Sequence, residues 1–270
     1  MKKIISIAVG KGGVGKTTTA ANLAACFAVA EKKTLLIDFD PSGSCSDCFG
    51  FSYERPVNGI FKVLSFTKTI KQVVQKTDLE YLDFIPSDIA SPEIEERLLK
   101  ITNNSYLFKN ILSSYELCEY EYIIIDCPPS LKGLTTIALN SSSSVLMPVR
   151  AGQYSILALR KMFDYYHWIK KRNNPDLRIE GILRTMYEPD TIAWILTDRE
   201  LNDNFKDNLL QTVIPKNITL TESEFYKRPA VLFNLKSKGS QAYLRLAEEL
   251  FSKNSDEFDP QNFYNLSVSF

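Results

Sequence analysis

Gly10-Lys11-Gly12-Gly13-Val14-Gly15-Lys16-Thr17 restricts the fold more than any other stretch of this 270-residue chain. It fits G-x-x-x-x-G-K-[ST] and stands where that pattern has mechanical meaning. The apolar run Ile4-Ile5-Ser6-Ile7-Ala8-Val9 precedes it and a helical pattern follows. Gly12, Gly13 and Gly15 in the loop let backbone N–H groups converge on one point without a Cβ in the way, which makes an anion nest at the positive end of a helix. A triphosphate is the natural guest, lying along Gly12, Gly13, Val14, Gly15, Lys16, Thr17 and Thr18. Lys16 would meet the β- and γ-phosphates as a point charge, and the Thr17 hydroxyl is a hard oxygen ligand suited to Mg²⁺. Lys11 puts a second ammonium in the same loop. It would repel Lys16 without a ligand or a partner carboxylate, which points it towards a different nucleotide.

A strand–loop–helix of this kind belongs to a doubly wound α/β sheet, and 270 residues suffice for one such domain. Apolar residues at 44%, charged residues at 24% and a formal net charge of zero describe a soluble globular chain. Nothing overall reads as a polyanion binder, so any DNA contact must come from a local patch. The five cysteines, at 26, 45, 48, 118 and 127, follow no apolar signal segment, and reduced cytoplasmic thiols are the simple reading. Cys45 and Cys48 form a C-x-x-C, but no second pair or His cluster completes a tetrahedral metal site. No run of about 18 apolar residues is present to span a membrane.

Along the chain, Ala20, Leu23, Ala24 and Phe27 mark the core stripe of the helix behind the loop. The strand Thr34–Ile37 then delivers Asp38-Phe39-Asp40-Pro41 to the carboxyl edge of the sheet, where such folds place ligands. Two aspartates at spacing two on a strand point to one side, so both can face the phosphate site. Residues 45–120 read as helices and loops around one strand, Tyr81–Pro86, with short amphipathic pieces at Val57–Leu64 and Ile70–Val74 and a capped helix start at Ser91-Pro92-Glu93. Tyr122-Ile123-Ile124-Ile125-Asp126 is an apolar strand that ends in a carboxylate, placed to bind waters of Mg²⁺. Cys127 behind it reads as a small buried residue. Further strands are expected at Ser144–Val149 and Ile179–Leu183, and helices at Ile156–Ile169 and Ser240–Ser252; His167 is placed at the surface or half-buried.

The boxes Lys11–Thr19, Asp38–Gly43, Asp126–Pro129 and Val213–Asn217 together resemble the ParA/MinD ATPases, whose phosphate loop is a deviant Walker A motif. The resemblance spans residue 2 to about 252, which implies a P-loop ATPase domain over 1–252 and an acidic, aromatic tail over 253–270. It implies a doubly wound, mainly parallel sheet flanked by helices, with ATP and Mg²⁺ as cofactors. Lys11 then reaches across a nucleotide-sandwich homodimer to the phosphates of the other subunit. Asp40 orients the attacking water, and Lys11, Lys16 and Asp40 make up the catalytic set. Asp38 lies near the metal shell with Thr17, and Asp126 acts on the metal through water. Pro215 and Asn217 flank the adenine, and the absence of Asn-Lys-x-Asp favours ATP over GTP. The chain departs from the family at Pro41-Ser42-Gly43, where Pro-Gln-Gly is usual, and at Gln153, where a glutamate is usual.

Thr185-Met186-Tyr187, Ile214-Pro215-Lys216-Asn217 and Lys236–Tyr243 place the likeness nearer ParA than MinD, in a short form without an N-terminal helix-turn-helix. That implies a slow cytoplasmic ATPase of plasmid or chromosome partition. It would bind non-specific DNA as an ATP dimer, on the nucleoid, and be stimulated by a ParB-like centromere-binding protein. Lys227, Arg228, Lys236, Lys238 and Arg245 are the candidate DNA contacts, in a stretch (206–253) with eight basic and five acidic residues. Glu188-Pro189-Asp190 stands where DNA-binding relatives usually carry an arginine, and Glu222–Tyr226 also departs from the family. Two other trades of the superfamily stay open: positioning a protein cargo, or carrying an iron–sulfur cluster on Cys45 and Cys48. The acidic tail has the wrong sign for the basic membrane helix of MinD relatives, so membrane attachment is not expected and the tail is left disordered or docked on the protein's own surface.

Overall fold

Strands that are apolar on both faces are stable only when helices cover each side of the sheet. The computed structural model, which describes residues 2–51, 58–89 and 91–254, has that arrangement. The first part of the chain forms β1 (Lys3–Ile7), α1 (Lys16–Val29), β2 (Thr34–Asp38), α2 (Ser44–Asp47), α3 (Ile60–Leu64), β3 (Gln75–Lys76) and β4 (Leu82–Ile85). Then follow α4 (Pro92–Ile101), α5 (Leu107–Leu112), β5 (Tyr122–Asp126), α6 (Leu134–Ser141), β6 (Ser144–Val149), α7 (Gln153–Arg172) and β7 (Arg178–Tyr187). The last elements are α8 (Ile192–Phe205), β8 (Leu209–Pro215), α9 (Ile218–Phe225), α10 (Ala230–Phe233) and α11 (Lys238–Asn254).

The sheet runs β3-β4-β2-β5-β1-β6-β7-β8, parallel throughout except for the β3–β4 pair. Side-chain alternation sorts the core into two layers. Ile5, Ile7, Leu36, Ile124 and Leu146 face α1, α10 and α11. Leu35, Ile37, Ile123, Ile125, Val145 and Met147 face the layer built by α3 to α8. Because β1 is central, its carboxyl end opens between β5 and β6, and the loop that follows it sits at the middle of the sheet edge.

Local structure differs from expectation where packing overrides pattern. Helix α1 is buried all round from Thr19 to Val29, not along one stripe, because the sheet, α10 and α11 enclose it and its alanines permit close approach. The two-residue edge strand β3 carries Gln75 and Lys76 and has no apolar signal to announce it. Strand β7 continues through Thr185 to Tyr187, and Ile70–Gln72 is a single 3₁₀ turn. The expected N-cap is present, with the Ser91 side chain accepting from the Ile94 amide ahead of Glu93 and Glu95. Val57 and the tail from residue 255 lie outside the described residues.

At the opposite edge, buried Glu180 on β7 gathers the Ser144 hydroxyl, Asn254 Nδ2 at 2.8 Å and Lys3 Nζ at 2.9 Å, which ties β1, β6, β7 and the end of α11 together. Beside it, a Cβ on Gly181 would stand 2.5 Å from Cγ of buried Leu210 on β8. Gly181→Ala should therefore cost about 1–3 kcal/mol in urea unfolding. Gly12→Ala, whose Cβ meets nothing within 4 Å, should leave the unfolding midpoint in place.

Candidate active site

The loop between β1 and α1 is shaped by two left-handed glycines, Gly13 (φ 65°) and Gly15 (φ 82°), positions where a side chain would be strained. Val14 is buried between them, and the Thr185 hydroxyl lies 2.9 Å from its carbonyl and 3.2 Å from that of Val149. A side chain of β7 thus clips the loop to the end of β6. Arg150 adds a longer contact, Nη1 to the Gly13 carbonyl at 3.4 Å. Lys16 is buried and folds back over the loop to donate to the Lys11 carbonyl at 3.0 Å. Burial lowers its pKa, opposed by the charges of Asp126 and Asp40. The two loop lysines diverge: the Lys11 ammonium lies 5.7 Å from the centroid of the Tyr154 ring, at the start of α7.

Strands β2 and β5 are neighbours, and their register sets Asp38 directly beside Asp126 at the carboxyl edge. Both are fully buried. Thr17 Oγ1 donates to Asp126 Oδ2 at 2.7 Å, and the Asp40 amide donates to Asp38 Oδ1 at 2.9 Å. The other oxygen of each, Asp126 Oδ1 and Asp38 Oδ2, is buried with no hydrogen-bond partner. Burial pushes the Asp126 carboxyl up to about 7, with the Asp40 charge adding and Thr17 and Lys16 opposing. Burial and the facing Asp126 push Asp38 well above the carboxylate range. Paired carboxylates with orphan oxygens beside a threonine hydroxyl form a hard oxygen donor set that fits Mg²⁺, which would take the place of the proton. Strand β2 ends at Asp38, so the aspartates do not share one strand face as expected: Asp38 is buried while Asp40 lines the cavity, its Oδ1 accepting from the Ser42 amide at 3.0 Å.

That cavity, about 630 Å³, is lined by Gly12, Gly13 and Gly15 to Thr18 on one side, by Asp40 and Ser42 on another, and by Met186, Glu224, Phe225 and Lys227 on a third. Pro215 and Asn217 are not among its lining; they sit at the β8–α9 junction, where Asn217 Oδ1 is buried without a partner. Of the five basic candidates, Lys227 reaches the cavity and Arg228 follows it, while Lys236, Lys238 and Arg245 are exposed on the connected α10–α11 unit. Burial keeps the thiol of Cys48 protonated, its pKa pushed up to about 12, and that of Cys45 rises too, so neither is poised as a thiolate ligand. Cys127 is buried and His167 exposed.

Thr185, Arg150, Tyr154 and Met186 were not anticipated as site residues. Met186 has a left-handed φ of 52°, as Lys227 on the same cavity has at 53°, and its carbonyl accepts from Trp194 Nε1 at 3.0 Å.

A family model described as an AAA domain matches residues 2–179. The chain is 36% identical over 255 residues to the chromosome partitioning protein ParA of Myxococcus xanthus, covering 94% of this chain and 89% of the relative. It is 37% identical over 250 residues to the sporulation initiation inhibitor protein Soj of Bacillus subtilis, covering 93% and 98%. Among solved structures, cobyrinic acid a,c-diamide synthase from Mycobacterium smegmatis, with a bound ATP analogue and magnesium, superimposes with a TM-score of 0.79 at 26% identity, covering 94% of this chain and 97% of that one.

The raised carboxyl of Asp126 carries a stability consequence. Its proton is held more tightly in the folded chain than in the unfolded one, so its contribution is complete below about pH 4 and is lost as pH rises through about 7. In nucleotide-free, metal-free buffer the melting temperature should fall between pH 5 and 8. Asp126→Asn should raise it at pH 8 and change it little at pH 5; parallel wild-type and variant curves in a thermal melt would contradict the assignment.

Proposed function

The chain belongs to the ParA/Soj family of P-loop ATPases, and on that premise we propose that it is an ATP-driven dimerising switch in DNA partition. It is an ATPase whose cofactors are ATP and Mg²⁺. The observation that carries the switch reading is the divergence of the two loop lysines. Lys16 turns into its own loop, while Lys11 has no ion pair among the described residues and rests on the exposed ring of Tyr154, available to a second molecule.

In this reading the nest from Gly12 to Thr18 holds the phosphates, with Lys16 on the β/γ oxygens. Thr17, Asp38 and Asp126 hold the metal, Asp126 through water; bound Mg²⁺ would neutralise phosphate charge. Asp40 orients the water that attacks, from its place on the cavity wall. Pro215 and Asn217 flank the adenine. Lys11 crosses to the phosphates of the opposite subunit, so two chains close face to face as a homodimer. The closed dimer binds DNA of any sequence through Lys227, Arg228, Lys236, Lys238 and Arg245, and a ParB-like partner stimulates hydrolysis and release in the cytoplasm. A second reading, positioning of a protein cargo, is favoured by exposed Glu188 and Asp190, which would repel phosphate near any DNA face.

Asp40→Ala should lower ATP turnover by about 10²-fold or more and accumulate an ATP-bound dimer on size exclusion, whereas parental turnover in that variant would refute the role of Asp40. Lys11→Ala should stay monomeric at saturating ATP. On random-sequence duplex, retention of the Asp40→Ala dimer should be ATP-dependent and steeply salt-sensitive, and Lys236→Ala should reduce the log–log salt slope by about one per site. Salt-independent or absent retention would leave the cargo reading.

A further inference from the structure

The amino ends of β5, β1, β6 and β7, four neighbours in the sheet, floor a groove of about 930 Å³ at the edge away from the nucleotide cavity. Tyr122, Lys3, Ser143 and Arg178 mark where these strands begin, so at roughly 4.8 Å between strands the groove is about 15 Å long. Fully buried Asn140 is part of its lining, and the Oδ1 of that side chain has no hydrogen-bond partner. An amide oxygen left in that state favours an incoming donor.

The groove stays cationic after its own pairings are counted. Lys3 is committed to Glu180, and Glu121 to Lys32 at 3.4 Å. That leaves Lys2, Lys109 and Arg178 in the lining against one carboxylate, Asp176. Lys109 and Arg178 are exposed and have no ion pair among the described residues. Just outside the lining, Lys171, Arg172 and Lys253 stand against Glu119, so the surroundings carry the same sign.

Asn254, the last described residue, stands on the rim of this groove. Its side chain accepts from Lys3 Nζ at 2.7 Å and donates to Glu180 Oε1 at 2.8 Å, which delivers the chain there at a fixed point. The sixteen residues that follow carry Asp256, Glu257 and Asp259 and no lysine or arginine, together with Phe258, Phe263 and Tyr264. Seven extended residues, 255–261, reach about 24 Å, more than the length of the groove, so all three carboxylates fall within its span. A segment tethered at the rim is present at a high effective concentration, which a polyanion free in solution lacks. A second copy of the chain, packed here about a two-fold axis, would set cation against cation.

We propose that residues 255–261 of the chain's own tail seat in this groove. Asp256, Glu257 and Asp259 would meet Lys2, Lys109 and Arg178, and a backbone N–H of the tail would donate to Asn140 Oδ1. The docked tail closes a basic surface remote from the nucleotide to other polyanions. This goes beyond the switch reading and does not depend on it.

The test uses the full chain carrying Gln261→Cys and a short bismaleimide. Cys118 lines the groove and is the one exposed cysteine among the described residues. A link between positions 118 and 261 should form within single chains, identified by peptide mass spectrometry of the monomer band. Its yield should fall about fivefold or more in about 1 M salt, and likewise on adding Lys109→Glu/Arg178→Glu, while ATP turnover stays parental. A second measurement needs no added thiol. Iodoacetamide should modify Cys118 about fivefold faster than in wild type both in Asp256→Asn/Glu257→Gln/Asp259→Asn and in Lys109→Glu/Arg178→Glu. Charge alone would move the reactivity of the thiol in opposite directions in these two variants, so a rise in both reports uncovering. Opposite changes, or none, overturn the proposal. So does a missing link, a link to Cys48, a link between two chains, or a yield indifferent to salt and to the charge reversal. Binding of random-sequence duplex by the wild-type chain in ADP, lost in Lys109→Glu/Arg178→Glu, would assign the groove to a polyanion instead and overturn it too. None of these readouts needs an ATP dimer, so failure of the Lys11 and Asp40 variants would overturn the switch and leave the tail in place.

Discussion

Two carboxylates held side by side in a sheet interior cannot both ionise without a cation, and the rest of this site is arranged around that constraint. The β2–β5 register sets Asp38 against Asp126, and each retains an oxygen with no partner. The proton that resolves the repulsion occupies the place a divalent cation would take. Thr17 donates to Asp126, which couples the first turn of α1 to the end of β5. The phosphate nest and the metal donor set are therefore one mechanical unit.

The loop is held in that unit from the other side by β7. Thr185 reaches the carbonyls of Val14 and Val149, and the next residue, Met186, is in a left-handed conformation and hydrogen-bonded through its carbonyl to Trp194 of α8. Left-handed backbone at a bulky residue persists only where surrounding contacts impose it. Here the same turn carries the chain from the loop clamp to the helix whose outer face is apolar. A change at α8 has a short covalent and hydrogen-bonded route to the nest.

What could be read from residues alone followed the strength of local signals. The strand–loop–helix, the apolar strands that end in Asp38 and Asp126, and the Ser91 cap each rest on a pattern within a few residues, and each element appears close to its expected place. Edge strand β3 has two polar residues and exists only because β4 offers hydrogen bonds. The all-round burial of α1 depends on α10 and α11, which are more than 200 residues away in the chain. Placing both aspartates on one strand face failed because alternation stops where the strand stops, at Asp38. Thr185 and Tyr154 escaped notice for a related reason: their meaning lies in what they touch, Val14 and Lys11, and no spacing rule connects positions so distant in sequence.

Ahead of α9, Lys216 Nζ lies 3.3 Å from Oε1 of Glu188, which precedes α8. Both side chains are substantially exposed, so the pair contributes little to stability. Its value is positional. A cation at the start of one region satisfies the carboxylate at the edge of the other, while Asp190, two residues beyond Glu188, has no such neighbour among the ion pairs of the described residues. A polyanion on the α9–α11 side would meet the Glu188 and Asp190 carboxylates as soon as it spread towards α8. The carboxylates that follow Met186 would thus limit how far a polyanion held at Lys227 could extend towards α8, Met186 and Lys227 both lining the cavity.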